Sequence, residues 1–120
     1  CGRGYFAPLF FENYIGIDIG LRQTADVVCD LSEQRCLRSE SIDVILLNNV
    51  LEHVYDFSSL LKNVVAALKE GGSLIITVPY SGGLHHLPHD YFRFSHYCLR
   101  EIIIGLGMKM VSIFFQENFF

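Results

Sequence analysis

Two hydrophobic periods run along this chain, and the switches between them mark its elements. Ile42-Asp43-Val44-Ile45-Leu46-Leu47 is a near-continuous, β-branched run that stops at Asn48-Asn49, the pattern of a strand covered on both faces. Phe57, Leu60, Leu61, Val64, Val65 and Leu68 then follow the 3.6-residue stripe of an amphipathic helix. Asp56 stands at its N-cap, Lys69 in its last turn and Gly71 just beyond. Leu74 to Val78 reads as a second buried-type strand, ended by Pro79. After a loop rich in Gly and His that runs to Arg93, Ser95 caps a second helix through Leu99, Ile102, Ile103 and Leu106. Met108 to Phe115 returns as a strand.

Upstream the elements are shorter. Tyr14 to Asp18 reads as a strand, and Ala25 to Cys29 is another apolar run, closed by Asp30. Tyr5 to Phe11 fits a short helix if Pro8 lies in its first turn. Strands alternating with helical stripes predict an α/β fold, an open and mainly parallel sheet flanked by helices, in one domain over residues 1–120.

Composition narrows the function classes. Apolar residues make up 51% and charged residues 18%, which predicts a packed body and excludes a disordered chain. The apolar runs fall short of the ~18 residues that cross a bilayer, and no basic-then-apolar leader is present. No membrane partner and a cytoplasmic location are expected. A net charge of -4 offers no basic stripe for a phosphate backbone, so nucleic acid is not an expected partner. Cys1, Cys29, Cys36 and Cys98 lack Cys-x-x-Cys spacing and read as small buried hydrophobes in a reducing compartment, with no zinc.

The candidate chemistry sits at strand ends. Cys1-Gly2-Arg3-Gly4 reads as the back half of a glycine-rich loop, where backbone can approach a ligand closely. Asp18, Asp30 and Asn48-Asn49 each follow a predicted strand, and ligands of open α/β sheets bind at the carboxyl ends of strands. An acid there accepts hydrogen bonds from ribose hydroxyls, so a nucleoside-containing cofactor is predicted. No strand precedes the loop, so the chain reads as a fragment whose first strand, the one that should feed the loop, is missing. Phe119-Phe120 reads as a cut C-terminus.

Taken together these segments resemble the class I S-adenosylmethionine-dependent methyltransferases. CGRG is similar to the end of that family's D-x-G-C-G-x-G motif, YIGID to its second strand, ADVVCD to its third, IDVILLNNVLEHV to its fourth and ALKEGGSLIITVP to its fifth. HDYFRFS, from His89 to Ser95, resembles the branch in which such a segment follows LEHV. The resemblance implies a Rossmann-like sheet and S-adenosylmethionine as cofactor. It places Gly2 and Gly4 under the methionine and ribose, Asp18 on the ribose hydroxyls, Asp30 and Leu31 beside adenine, and Asn48 or Asn49 on the methionine side. The family's leading acid and first glycine are absent here, and Glu70 stands where it usually has proline.

The histidines offer chemistry of their own. His53 follows the fourth strand and, with an ordinary pKa of about 6.5, is a candidate base for a substrate hydroxyl; the alternative is a hydrogen-bonded histidine that fixes the turn. His85, His86, His89 and His96 with Asp90 suggest a metal, but Pro88 breaks the helix that would align them, so no metal is expected. His89, Asp90, Tyr91 and Arg93 are expected to line an acceptor-side loop, or to knit it together.

The expected function is methyl transfer to a small-molecule or glycan-type acceptor. Two alternatives stand beside it. Gly2, Gly4 and Ala7 also satisfy the G-x-G-x-x-A dinucleotide fingerprint, which would make the protein an NAD(P)-binding oxidoreductase; an inactive, truncated domain is the other.

Overall fold

A computed structural model of the chain describes residues 12–20, 25–34 and 36–115. The expected helix at Tyr5 to Phe11 lies outside the described residues, as do Gly2 and Gly4. Among the described residues the elements run in the order β1 (Ile17–Asp18), β2 (Val27–Val28), β3 (Ile42–Asn48), the 3-10 turn Leu51–His53, α1 (Phe57–Ala67), β4 (Leu68–Thr77) and α2 (His96–Gly105). The chain is thus mixed α/β with parallel strand pairs.

The strands form two separate sheets. β1 pairs parallel with β2, Asp18 opposite Val28, and β3 pairs parallel with β4, Asn48 opposite Thr77. β1 is shorter than the apolar run Tyr14 to Asp18 because Gly16 leaves the ladder. Its carbonyl accepts from the amides of Asp26 and Val27, and its own amide donates to Asp26 Oδ2 at 2.6 Å.

The core lies between α1 and the β3–β4 pair. Leu60, Leu61 and Val64 pack with Leu47, Leu51 and Phe94, and Ile45, Leu74, Ile76, Leu99, Ile102 and Leu106 close around them. Asp56 accepts from the Ser59 amide and starts α1 as expected. The helix stops at Ala67, before Lys69, because its last carbonyls are taken from outside. The Glu40 and Ser41 amides donate to Ala66 and Ala67, and Leu68 pairs with Ile42. β4 therefore begins six residues earlier than Leu74. Between Leu68 and Ser73 it bulges, and Gly72 turns there with a position where a Cβ would stand 2.8 Å from the Lys69 carbonyl oxygen.

Three further expectations are corrected. Among the described residues the run Ile42 to Leu47 is covered on one face: Ile45 and Leu47 meet α1, while Val44 and, on β4, Ile75 are exposed. Continuous apolarity alone does not say how many layers arrive. Met108 to Phe115 forms no strand, since no described strand offers it a ladder, and Val111, Phe114 and Phe115 are exposed. Cys29 and Cys36 are not lone thiols but a disulfide, Cα atoms 6.0 Å apart. Consecutive turns, Glu33 N–H to Asp30 O and Cys36 N–H to Glu33 O, fold the chain back to bring them together. Cys98 is free and exposed. No helix among the described residues is long and apolar enough to cross a membrane.

Candidate functional site

Both sheets present their carboxyl ends with polar groups attached. Asp18 closes β1 and is buried, its Oδ1 accepting from the Gly20 amide at 3.1 Å. Asp30 follows β2 by two residues and accepts from both the amide and hydroxyl of Ser32. Since β1 and β2 run parallel, these two acids share one edge. Asn63 of α1 donates its amide to the carbonyls of Leu31 and Ser32, which fixes the segment after Asp30. On the second sheet Thr77 donates its hydroxyl to Asn48 Oδ1, and the Asn49 amide donates back to Thr77. Asn49 adopts a φ of 50°, a left-handed conformation that asparagine tolerates better than most residues. The chain turns sharply there into Leu51–His53.

That turn is clamped by the loop after β4. Leu51 and Glu52 are wholly buried, and the Glu52 carbonyl accepts from the amides of Tyr91 and Phe92. His53 Nδ1 lies 2.6 Å from the His89 carbonyl oxygen. A carbonyl only accepts, so Nδ1 carries the proton and Nε2 carries the lone pair. Asp90 holds the loop from the other side. It takes two hydrogen bonds from Arg93, at 2.6 and 3.0 Å, and one from the His85 amide. Arg93 hydrogen bonding, then the His85 amide, hold the Asp90 carboxyl far below the usual carboxylate range, and Asp90 in turn raises Arg93. Tyr91 is part-exposed, its ring 5.5 Å from that of Tyr55.

A parallel α/β scaffold with acids at one strand edge and a clamped turn at the other suits a nucleotide-type ligand, and one comparison decides between the families that build such edges. The methyltransferase domain family matches residues 1–102. The chain belongs to that family. No curated protein and no solved structure matches it. The class I S-adenosylmethionine-dependent methyltransferase resemblance drawn from the motifs is thereby borne out.

Within this methyltransferase domain the candidate residues fall into three groups. Asp18, Asp30 and Leu31 lie at the edge of the β1–β2 pair, and Asn48 and Asn49 at the edge of the β3–β4 pair. His53, His89, Asp90, Tyr91 and Arg93 are gathered by the clamp. The two readings of His53 are compatible, because the bond that fixes the turn uses Nδ1 and leaves Nε2 for chemistry. Arg93 and Asp90 knit the loop by bonding each other, and His89 does so through His86, Tyr91 and His53.

Glu52 escaped the sequence reading. Its carboxylate is fully buried with neither oxygen hydrogen-bonded to a protein group, while His53 Nε2 and His85 Nε2 stand 3.7 and 3.9 Å from Oε1. The signal available was an acid set between Leu51 and His53 directly after a buried strand. That signal alone does not mark burial, because turn acids are ordinarily solvated.

Proposed function

We propose that this domain transfers a methyl group from S-adenosylmethionine to a nucleophile of a small-molecule or glycan-type acceptor, on a Rossmann-like sheet. The observation that carries the reading is the family match over residues 1–102, joined to two acids at one strand edge. Asp18 and Asp30 are acceptor-only groups when ionised, suited to ribose hydroxyls and the adenine amino group respectively. These features fit a nucleoside. Leu31 supplies an apolar flank, and Asn48 and Asn49 supply the polar end for the methionine portion, with Gly2 and Gly4 completing the cradle.

When bound, the sulfonium supplies an already activated methyl group. The protein's share is then alignment, which in well-oriented systems accounts for about 7–11 kcal/mol of barrier. Tyr91 and the loop it belongs to bound the acceptor side, and His53, whose Nδ1 is held by the His89 carbonyl, offers its Nε2 lone pair as the proton acceptor.

Calorimetric titration with S-adenosylhomocysteine tests the reading. The expected result is saturable one-site binding that Asp18→Ala weakens about 10- to 100-fold, as the loss of hydrogen bonds to a charged group implies. Tight NAD binding without S-adenosylhomocysteine binding, or an unchanged affinity in a folded Asp18→Ala variant, overturns it.

A further inference from the structure

The clamp that fixes the turn also brings three ligand atoms to one point. Glu52, His53 and His85 each direct one donor atom, and all three lie within 4.8 Å of one another. Glu52 is completely buried, and neither carboxylate oxygen has a hydrogen-bond partner among the described residues. An ionised carboxylate taken out of water without partners is among the most unfavourable arrangements a fold can hold. Distances of 3.7 and 3.9 Å to the imidazoles are too long to be hydrogen bonds.

Those distances suit something placed between the groups. Bonds of about 2.0–2.1 Å to a tetrahedral ion hold ligand atoms about 3.4 Å apart, so each imidazole needs to close on Glu52 by only a few tenths of an ångström, and the two imidazole nitrogens, which lie within 4.8 Å of each other, by no more than about 1.4 Å. Both histidines are also oriented for ligation. His53 donates Nδ1–H to the His89 carbonyl, and His85 Nδ1 faces the Gly83 carbonyl at 3.3 Å and Asp90 Oδ2 at 3.5 Å. In each ring the outer nitrogen is thereby protonated and Nε2 is left as a lone pair toward Glu52. Outer hydrogen bonds of this kind fix the tautomer and raise the basicity of metal-bound histidine.

The nearby cation does not satisfy Glu52. Arg93 feels its charge, yet the guanidinium donates to Asp90, to the Phe92 carbonyl and to the Gly83 carbonyl, and its Nε is itself without a partner.

We propose that Glu52, His53 and His85 form a binding site for a first-row divalent cation of the zinc or iron(II) class. Two imidazole nitrogens and one carboxylate oxygen are a donor set these ions favour, and three protein ligands leave a coordination position open. The site joins the turn after β3 to the loop after β4, so the ion ties together the two segments that bound the acceptor side. It goes beyond the methyl-transfer reading and changes one part of it: with the ion present, the His53 Nε2 lone pair is a ligand and not a proton acceptor.

Cobalt(II) is the probe, because its visible absorption reports nitrogen and oxygen ligation directly. The chelator-treated chain, titrated without any cofactor, is expected to bind one equivalent of cobalt(II) with a visible band that zinc(II) abolishes by competition. Glu52→Gln, which keeps the side chain's shape, and His85→Ala are each expected to weaken binding at least about 10-fold; Asp90→Asn, acting through His85, about 10-fold. His96→Ala serves as the control and leaves binding unchanged. Circular dichroism identifies which variants are folded. No saturable band from the folded chain, or equal affinity in folded Glu52→Gln and His85→Ala, overturns the site. Since the readout needs no methyl donor, either proposal can fail without the other.

Discussion

Asp56 shows how much one side chain decides. Its carboxylate accepts from the Ser59 amide at 3.1 Å and starts α1. The Ser59 hydroxyl, then the Ser59 amide, hold its pKa below the ordinary 3.8, against a smaller opposing effect of burial. A carboxyl lowered by folding contributes stability that is complete above its unfolded pKa and is lost as pH falls through the folded value. Melting temperature followed from about pH 5 to pH 2 should therefore drop less steeply in Asp56→Asn than in the parent, because asparagine caps without titrating. Equal slopes would remove Asp56 from the acid transition. Both caps, Asp56 and Ser95, were readable from the sequence, since a capping oxygen bonds two or three residues along its own chain. Glu52 was not, because its surroundings come from residues 83–93, more than thirty positions away.

At the level of elements, α1 carries the core. Leu60, Leu61 and Val64 are each about fully buried against Leu47, Leu51 and Phe94. Leu61→Ala should destabilise the chain by about 2–5 kcal/mol in urea unfolding, as expected for a truncation in a packed interior. Lys69→Met, which removes the exposed ion pair with Asp43, should change stability by no more than about 1 kcal/mol. Comparable losses in the two variants would mean that α1 is not the packing element described above. The stripe of α1 was legible because one helix face meets one neighbour. Its end was not, since Ala67 is set by amides of residues 40 and 41 and by the pairing of Leu68 with Ile42. The same limit explains Met108 to Phe115, whose strand-like composition specifies no partner to ladder with. At the site, the strand-end acids were legible from chain order alone, whereas the convergence of His53 and His85 depends on how the loop after β4 folds back.

At the scale of the molecule, the deciding feature is that the described strands make two sheets, each a parallel pair. One face of β3–β4 is covered by α1, and the other shows Val44 and Ile75 at 36% and 45% exposure. Ile15 and Ile19 flank β1 at 71% each, and Val27 and Val28 leave β2 exposed as well. Sheets this small have little area with which to resist opening, and apolar surface spread over strands attracts other apolar surface. A hydrophobic dye should consequently bind the chain in native buffer and gain fluorescence while far-UV dichroism remains that of a folded α/β protein. The double variant Val44→Thr with Ile75→Thr keeps β-branched side chains on the strands and removes apolar surface from the open face alone. It should lower dye fluorescence and slow any concentration-dependent association seen by sedimentation, with the α1 core untouched. If the dye does not bind the parent, or binds parent and variant alike, the open face of β3–β4 is covered in solution, and the two-sheet arrangement is not how the chain presents itself to solvent.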